Sequence, residues 1–383
     1  MNLDYPAIDT VGVEIELQNT LLTNKIKQDI QNNNWNIVRD ASVETKKTSF
    51  SQKNFYSDIN LNFNSPIYDK FSYNTFGGEI ISQPSNPTSK HFIDNLEKVC
   101  KILSSVESYI DNKRSSVHIH INIGKNINLK NLKSIIRWAT RVESIFYRIG
   151  SLQDYHRGIY NDFTYCRPLT LYGPSVIKTR SGKKAQIFNT FDLILSETLD
   201  DFFERYGDIK FTGTKYHPVR YHWLNLYSLN KYGTLEYRVF NQTLNDLDIR
   251  AIILLCQATT DKMLSTSYSE LKNLGFSAIN SVYNPLYNSR EILEYILDEY
   301  ETKFPTLVSR ILDLFDYSEY PVIEKEYVIS HMQLKNPDSR YFNGDYEPKS
   351  LTEGILVKEP NYIDIHNRGE FSIENVPNNL HLR

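Results

Sequence analysis

The stretch Ser116-Val117-His118-Ile119-His120-Ile121-Asn122 alternates with a period of two. As a β-strand it sends Val117, Ile119 and Ile121 to one face and His118, His120 and Asn122 to the other. Two imidazoles then point the same way, about 7 Å apart along one side of the strand. An apolar face opposite a polar one places a core behind the strand and an open surface in front of it.

Three further segments read as strands, two of them with the same alternation. In Thr10 to Gln18, Val11, Val13, Ile15 and Leu17 fall on one face and Gly12, Glu14, Glu16 and Gln18 on the other. Gly77-Gly78 leads into a strand Glu79-Ile80-Ile81-Ser82 that Gln83-Pro84 stops. In Gly233 to Phe240, Leu235, Tyr237 and Val239 face one way, and Thr234, Glu236, Arg238 and Phe240 the other. A fifth strand is expected over Asn36 to Asp40.

Helical spacing separates these strands. Leu22, Ile26 and Ile30 mark a short helix before Asn33, and Phe92, Leu96, Val99, Leu103 and Val106 mark a longer one within 88–110. Asn128 can cap a helix whose stripe runs from Leu132 through Ile135, Ile136, Ala139, Val142, Ile145 and Phe146 to Ile149, with Gly150 as its stop. Arg137, Arg141 and Arg148 fall mostly off that stripe. Further helices are expected over Phe191–Tyr206, Asp246–Met263, Ser289–Thr302 and Pro305–Phe315. Residues 44–76 read as a long loop, and 151–190 as a polar, loop-like region containing the basic turn Lys178–Lys184. The expected fold is α+β: an antiparallel sheet backed by helices, with 1–268 as one domain and 269–383 as a helical or irregular C-terminal extension.

Lys+Arg 43 against Asp+Glu 46 gives a net charge of -3, so no global basic field points to nucleic acid. The 40% hydrophobic and 13% aromatic content suffices for a large core. Cys100, Cys166 and Cys256 are widely spaced and odd in number, which predicts free thiols in a reducing compartment. No apolar run approaches the roughly 20 residues that span a bilayer, and a cytoplasmic location is expected. Oligomeric state leaves no mark in the sequence.

If the strands share one sheet, Glu14, Glu16, Glu79, His118, His120, Glu236 and Arg238 converge on its open face. So many carboxylates do not gather without counter-charge. Divalent cations and a polyphosphate would supply the balance: carboxylate oxygens suit Mg²⁺ or Mn²⁺, imidazole is tolerated, and Arg238 matches a phosphate. The same His-x-His with carboxylates could instead hold Zn²⁺ or Mn²⁺ in a metal-dependent hydrolase. Four acids and an arginine argue against that alternative.

At these residues the chain resembles the amidoligase family, within the carboxylate–amine ligase group that includes glutamine synthetase and glutamate–cysteine ligase. The matching pieces are Gly12–Glu16, Asp40-Ala41-Ser42, Gly78–Pro84, Val117–His120, Arg157 ahead of Tyr165–Pro168, Arg220 to Asn225, and Gly233–Phe240 followed by Thr243-Leu244. Together they cover about residues 8–265. One departure is that the family carries a glycine just before its His-x-His, where this chain has Ser115-Ser116-Val117.

The resemblance implies a curved antiparallel sheet of glutamine-synthetase-like type, holding ATP and Mg²⁺ on its concave face with helices on the convex one. It implies Glu14, His118 and Glu236 as ligands of the cation on the ATP phosphates, and Glu16 and Glu79 as ligands of a second cation. It also implies His120 as a nucleotide contact and Arg238 as the group that neutralises the transferred phosphoryl. Arg220 and Arg157 are candidates for phosphate or substrate-carboxylate binding. Glu79 and acids of the 44–76 loop are candidates for the base that deprotonates the amine. The expected partners are therefore a carboxylate substrate and an amine substrate. A family member that binds without catalysing is disfavoured, because the acids, histidines and arginine are all present.

Overall fold

A six-stranded, wholly antiparallel sheet forms the centre of the computed structural model, which describes residues 10–39, 75–106, 115–150, 166, 169, 175–178, 184–187, 193–207, 220, 222–276 and 289–317. Its strands are β1 (Val11–Leu21), β2 (Trp35–Arg39), β3 (Thr75–Ser82), β4 (Ser116–Asn122), β7 (Leu224–Asn225) and β8 (Thr234–Asn241), in spatial order β2-β3-β1-β4-β8-β7. The four strands with charged faces are thus consecutive neighbours. A separate hairpin, β5 (Ser175–Lys178) and β6 (Lys184–Ile187), stands where the sequence suggests only loop. Lys178 and Lys184, the ends of the expected basic turn, pair across its two strands, and residues 179–183 lie outside the described residues.

The helices are α1 (Asn24–Asn32), α2 (Lys90–Ser104), α3 (Leu129–Gly150), α4 (Leu199–Gly207), α5 (Tyr227–Tyr232), α6 (Asp246–Ser265), α7 (Tyr268–Asn273), α8 (Ser289–Glu301) and α9 (Pro305–Tyr317). Local chemistry sets several of their starts. The Ser89 hydroxyl accepts from Phe92 N at 3.2 Å, and Asn128 Oδ1 from Asn131 N at 2.9 Å. Ser267 and Glu270 form a reciprocal capping box on α7, a Ser-x-x-Glu signal visible in the sequence. Gly233 ends α5 with φ 69°, a left-handed conformation suited to glycine.

The alternating apolar residues of β1, β4 and β8 are buried with those of α2, α3 and α6 in one cluster. Phe146 of α3 sets the registration of helix on sheet, its ring 4.9 Å from that of Trp223 and 5.2 Å from that of Tyr237. Gly150 brings the end of α3 against β8: a Cβ there would lie 2.6 Å from Val239 O. Over the outer side of α3 and α6 pack α8 and α9, whose Ile292, Leu293, Ile296, Val308, Ile311 and Leu314 join the same core.

Three expectations are corrected. Phe240 does not share the face of Glu236 and Arg238. β8 carries an extra residue opposite His118, so Phe240 pairs with Val117 and packs 6.1 Å from the Phe146 ring. Arg141 is buried, because α7, α8 and α9 cover the side of α3 away from the sheet. There Arg137 lies over the Tyr268 ring at 4.5 Å, Trp138 stacks on Tyr295 at 6.1 Å, and Arg148 lies over Phe315 at 4.1 Å. The third correction concerns extent: β3 begins at Thr75, running through Gly77-Gly78, and the helix expected over Phe191–Tyr206 is interrupted, with Leu193 and Ile194 helical, a break over 195–198 and α4 from Leu199, while residues 191 and 192 lie outside the described residues. Cys100, Cys166 and Cys256 are free and buried. No helix among the described residues is long and apolar enough to cross a membrane.

Candidate active site on the polar face of the sheet

Register assembles the site. Across β1 and β3, Glu16 stands directly opposite Glu79; across β1 and β4, Glu14 stands opposite His118 and Gly12 opposite His120. Across β4 and β8, His120 stands opposite Glu236. Directly opposed residues share a face, so the carboxylates and imidazoles of four strands lie together. Arg238 joins them beside Glu236.

Glu14 sits between the two histidines. Its Oε2 lies 3.2 Å from His118 Nδ1, and its Oε1 3.3 Å from His120 Nε2. His118 Nδ1 is also 3.7 Å from Glu236 Oε1. The ring of His118 is buried, with Ser116 Oγ 2.8 Å from its Nε2, and Ser116 in turn donates to Glu16. His120 Nδ1 lies 3.0 Å from Thr234 Oγ1, while its buried Nε2 makes no hydrogen bond.

Glu236 is held from two sides. Arg238 donates to its Oε1, and Asn225 Nδ2 donates to its Oε2 at 2.6 Å. Asn225 Oδ1 accepts from Tyr227 N at 2.8 Å, which fixes the amide with its NH₂ toward the carboxylate. The β7–α5 turn therefore serves as a clamp for Glu236.

Charges respond to this crowding. Burial pushes the Glu14 carboxyl up, but His120 and His118 outweigh it and hold the group well below the usual carboxylate range. Glu236 is likewise pushed up by burial and pulled down by Arg238 and then the two histidines, to about 2. Burial lowers His120, yet Glu14 and Glu236 together raise it. Burial also works against the Arg238 guanidinium, and Glu236, Glu16 and Glu14 overcome it to strengthen the charged form. These shifts favour the ionised form of both acids and the protonated form of His120.

Glu14, His120 and Glu236 each offer one donor atom, and the three atoms lie within 4.8 Å of one another. Two carboxylate oxygens and an imidazole nitrogen, one of them without a hydrogen bond, fit a hard divalent cation of the Mg²⁺ or Mn²⁺ type. Both histidines reach the same two carboxylates.

A family model described as "Putative amidoligase enzyme" matches residues 8–260. The chain belongs to the amidoligase family. Curated proteins give no match to it. The matched range ends inside α6, so it contains every strand of the amidoligase sheet and excludes α7, α8 and α9. Membership favours a ligase over the hydrolase that a His-x-His pair alone would allow.

Of the site residues expected from the sequence, Glu14, Glu16, Glu79, His118, His120, Glu236 and Arg238 share the polar face of the amidoligase sheet. Arg220 is half-buried just ahead of β7. Arg157, Asp40–Ser42, Tyr165, Arg167 and most of the 44–76 loop lie outside the described residues. Sequence reasoning missed Asn225, Thr234 and Ser116 as supports of the acids and imidazoles. Ser116 and Thr234 carry a signal, since each falls two residues before a site residue on the same strand face. Glu143 was also missed: fully buried on α3, it accepts from Leu169 N at 2.6 Å and Trp223 Nε1 at 3.1 Å. It ties the segment around Cys166 and the approach to β7 to one helix.

Proposed function

We propose that this chain is an ATP-dependent carboxylate–amine ligase that forms an amide through an acyl phosphate, with the polar face of the sheet as its concave, cation-lined reaction surface. The observation that carries this reading is the gathering of Glu14, Glu16, Glu79 and Glu236 around two imidazoles and one arginine, with the Glu14, His120 and Glu236 donors within 4.8 Å. Glu16 and Glu79 stand directly opposite each other across neighbouring strands, a juxtaposition of like groups that a bound cation would suit. Bound Mg²⁺ or Mn²⁺ would supply charge neutralisation on ATP phosphates.

The chemistry explains the demand. A carboxylate is a poor electrophile, so its oxygen first takes the γ-phosphoryl group of ATP, releasing ADP. The amine then attacks the acyl carbon, phosphate leaves, and the amine loses a proton. Both steps pass through concentrated negative charge, which fixed cations and dipoles stabilise more effectively than water. Glu14, His118, His120 and Glu236 would hold the cation on the phosphates, and Glu16 and Glu79 a second one. Arg238, oriented by Glu236, would face the transferred phosphoryl group. Arg220 and Arg157 would bind anionic groups of nucleotide or substrate, and Glu79, on the same face as Glu16, would be a candidate to take the amine proton.

The test is nucleotide binding with and without Mg²⁺, followed by ADP release in the presence of pooled carboxylates and amines. ATP binding that requires Mg²⁺ and falls in Glu14→Ala, Glu236→Ala and Arg238→Ala is expected. Equal binding by those variants, or amide hydrolysis without ATP, overturns the assignment.

A further inference from the structure

The side of α3 away from the sheet carries a second concentration of positive charge, which the reaction surface does not use. Arg141 is 6% exposed, and its Nη1 donates to Arg137 O at 2.6 Å. Its buried Nε finds no acceptor. Burial pushes the guanidinium down to about 10, while Tyr268 favours its charge and Arg137 opposes it. Arg238, comparably buried, has Glu236 beside it, and Arg310 has Asp248 at 2.7 Å. Among the described residues no carboxylate pairs with Arg141 or with Arg137. A charge taken out of water without a counter-charge is costly.

Trp138, three residues before Arg141, repeats the pattern. It is fully buried with its ring stacked on Tyr295 of α8 at 6.1 Å, and its Nε1–H makes no hydrogen bond. A buried indole N–H ordinarily finds an acceptor. Residues three and four apart on a helix are neighbours, so Trp138 and Arg137 both flank Arg141. Arg137 is half-buried over the Tyr268 ring at 4.5 Å, and Tyr268 is 39% exposed, which gives the group an edge on solvent.

Each of these three side chains donates and none accepts. Water would satisfy the indole but not the charge. Two guanidiniums with no acid between them, and an indole N–H alongside, match a doubly charged anion rich in acceptor oxygens. We propose that Arg137, Trp138 and Arg141 form the donor wall of a binding site for a small oxyanion of the inorganic-phosphate type, on the outer side of α3 where α7 and α8 cover it. Bound there, the anion neutralises the two arginines and strengthens the seam between α3 and the helices that follow the family-matched region.

The probe is inorganic phosphate, titrated calorimetrically into the full chain in chelator, with chloride exchanged to hold the ionic strength. Saturable binding is expected, and Arg141→Met should abolish it. Trp138→Phe, which loses the N–H and keeps a ring on Tyr295, should weaken it roughly 10- to 100-fold, as for one hydrogen bond to a charged group. Thermal unfolding supplies a readout that a merely structural arginine would not move. In phosphate-free buffer Arg141→Met should have a higher Tm than wild type, because it removes an uncompensated buried charge. Phosphate should then raise the Tm of the wild type and leave that of the variant where it was. Absence of saturable binding overturns the proposal, as does binding that persists in Arg141→Met and vanishes in Arg238→Met, which would put the anion on the sheet's polar face. A lower Tm for Arg141→Met in phosphate-free buffer, with no response of the wild type to phosphate, would mean that an acid of the chain itself meets the arginines, and overturns it too. None of these readouts involves ATP, Mg²⁺ or product, so the outcome is independent of the ligase reading.

Discussion

Replacing Arg238 with methionine removes one partner of a buried ion pair and leaves its aliphatic bulk nearly unchanged. The Arg238 side chain is 9% exposed and that of Glu236 5%, so neither charge is screened by bulk water. Truncating one member of such a pair costs about 3–5 kcal/mol, mostly from the charge left behind. Glu236 keeps its hydrogen bond from Asn225 at 2.6 Å, which places the expected cost near the lower end. About 3 kcal/mol corresponds to a fall in Tm of roughly 6–12 °C for a domain of this class. The assay is thermal unfolding in chelator, with Glu236→Gln and the Glu236→Gln/Arg238→Met double variant beside it. Removing both charges should cost less than the two single changes summed, by an interaction of about 1–3 kcal/mol. Excess Mn²⁺ should narrow the gap between Arg238→Met and wild type, because a cation bound to the native acids stabilises by mass action. Strict additivity in the cycle, or an unchanged Tm for Arg238→Met in chelator, would refute the view that this pair neutralises the face.

Three further outcomes follow from the structure. The Glu236 carboxyl is held at about 2, below its ordinary 4.5, so it contributes stability above pH 4.5 that is lost as pH falls toward 2; Glu236→Gln should flatten the acid limb of the Tm–pH curve in that window. Gly150→Ala, whose Cβ would meet Val239 O at 2.6 Å, should cost about 1–3 kcal/mol in denaturant unfolding, and a neutral result would show that α3 and β8 separate readily. Leu293→Ala, on a fully buried residue of α8, should cost about 2–5 kcal/mol, as a change inside the sheet's own core would; a loss under about 1 kcal/mol would mean that α8 is only loosely attached.

Period-two alternation made β1, β4 and β8 legible, and with them the sharing of one face by Glu14, Glu16, His118, His120, Glu236 and Arg238. Side-chain direction along a strand is a local property, so the sequence carries it. Register is not local. That Glu14 meets His118 while Glu16 meets Glu79 depends on how far each strand slides past the next. The extra residue opposite His118 shows the limit, since it sends Phe240 to the core against the simple alternation. Arg141 shows another. Its burial comes from helices more than a hundred residues later in the chain, and a stripe on one helix says nothing of what covers its back. Asn225 stood within a recognisable motif, yet its task becomes visible only when β7 lies beside β8.

The covering of α3 and α6 by α8 and α9 also has a meaning in time. A ribosome makes the last residue of the family-matched region, 260, well before it makes residue 317, where α9 ends. At about 5–20 residues per second the interval is roughly 3–11 s. During it, every strand of the sheet has already been synthesised, but the cover over the outer side of its backing helices is still being made, from Tyr268 over Arg137 and Tyr295 on Trp138 to Phe315 against Arg148. The growing chain thus passes through a stage in which its chemistry-bearing strands are complete and its rear surface is still sticky, a stage that chaperones are suited to shield.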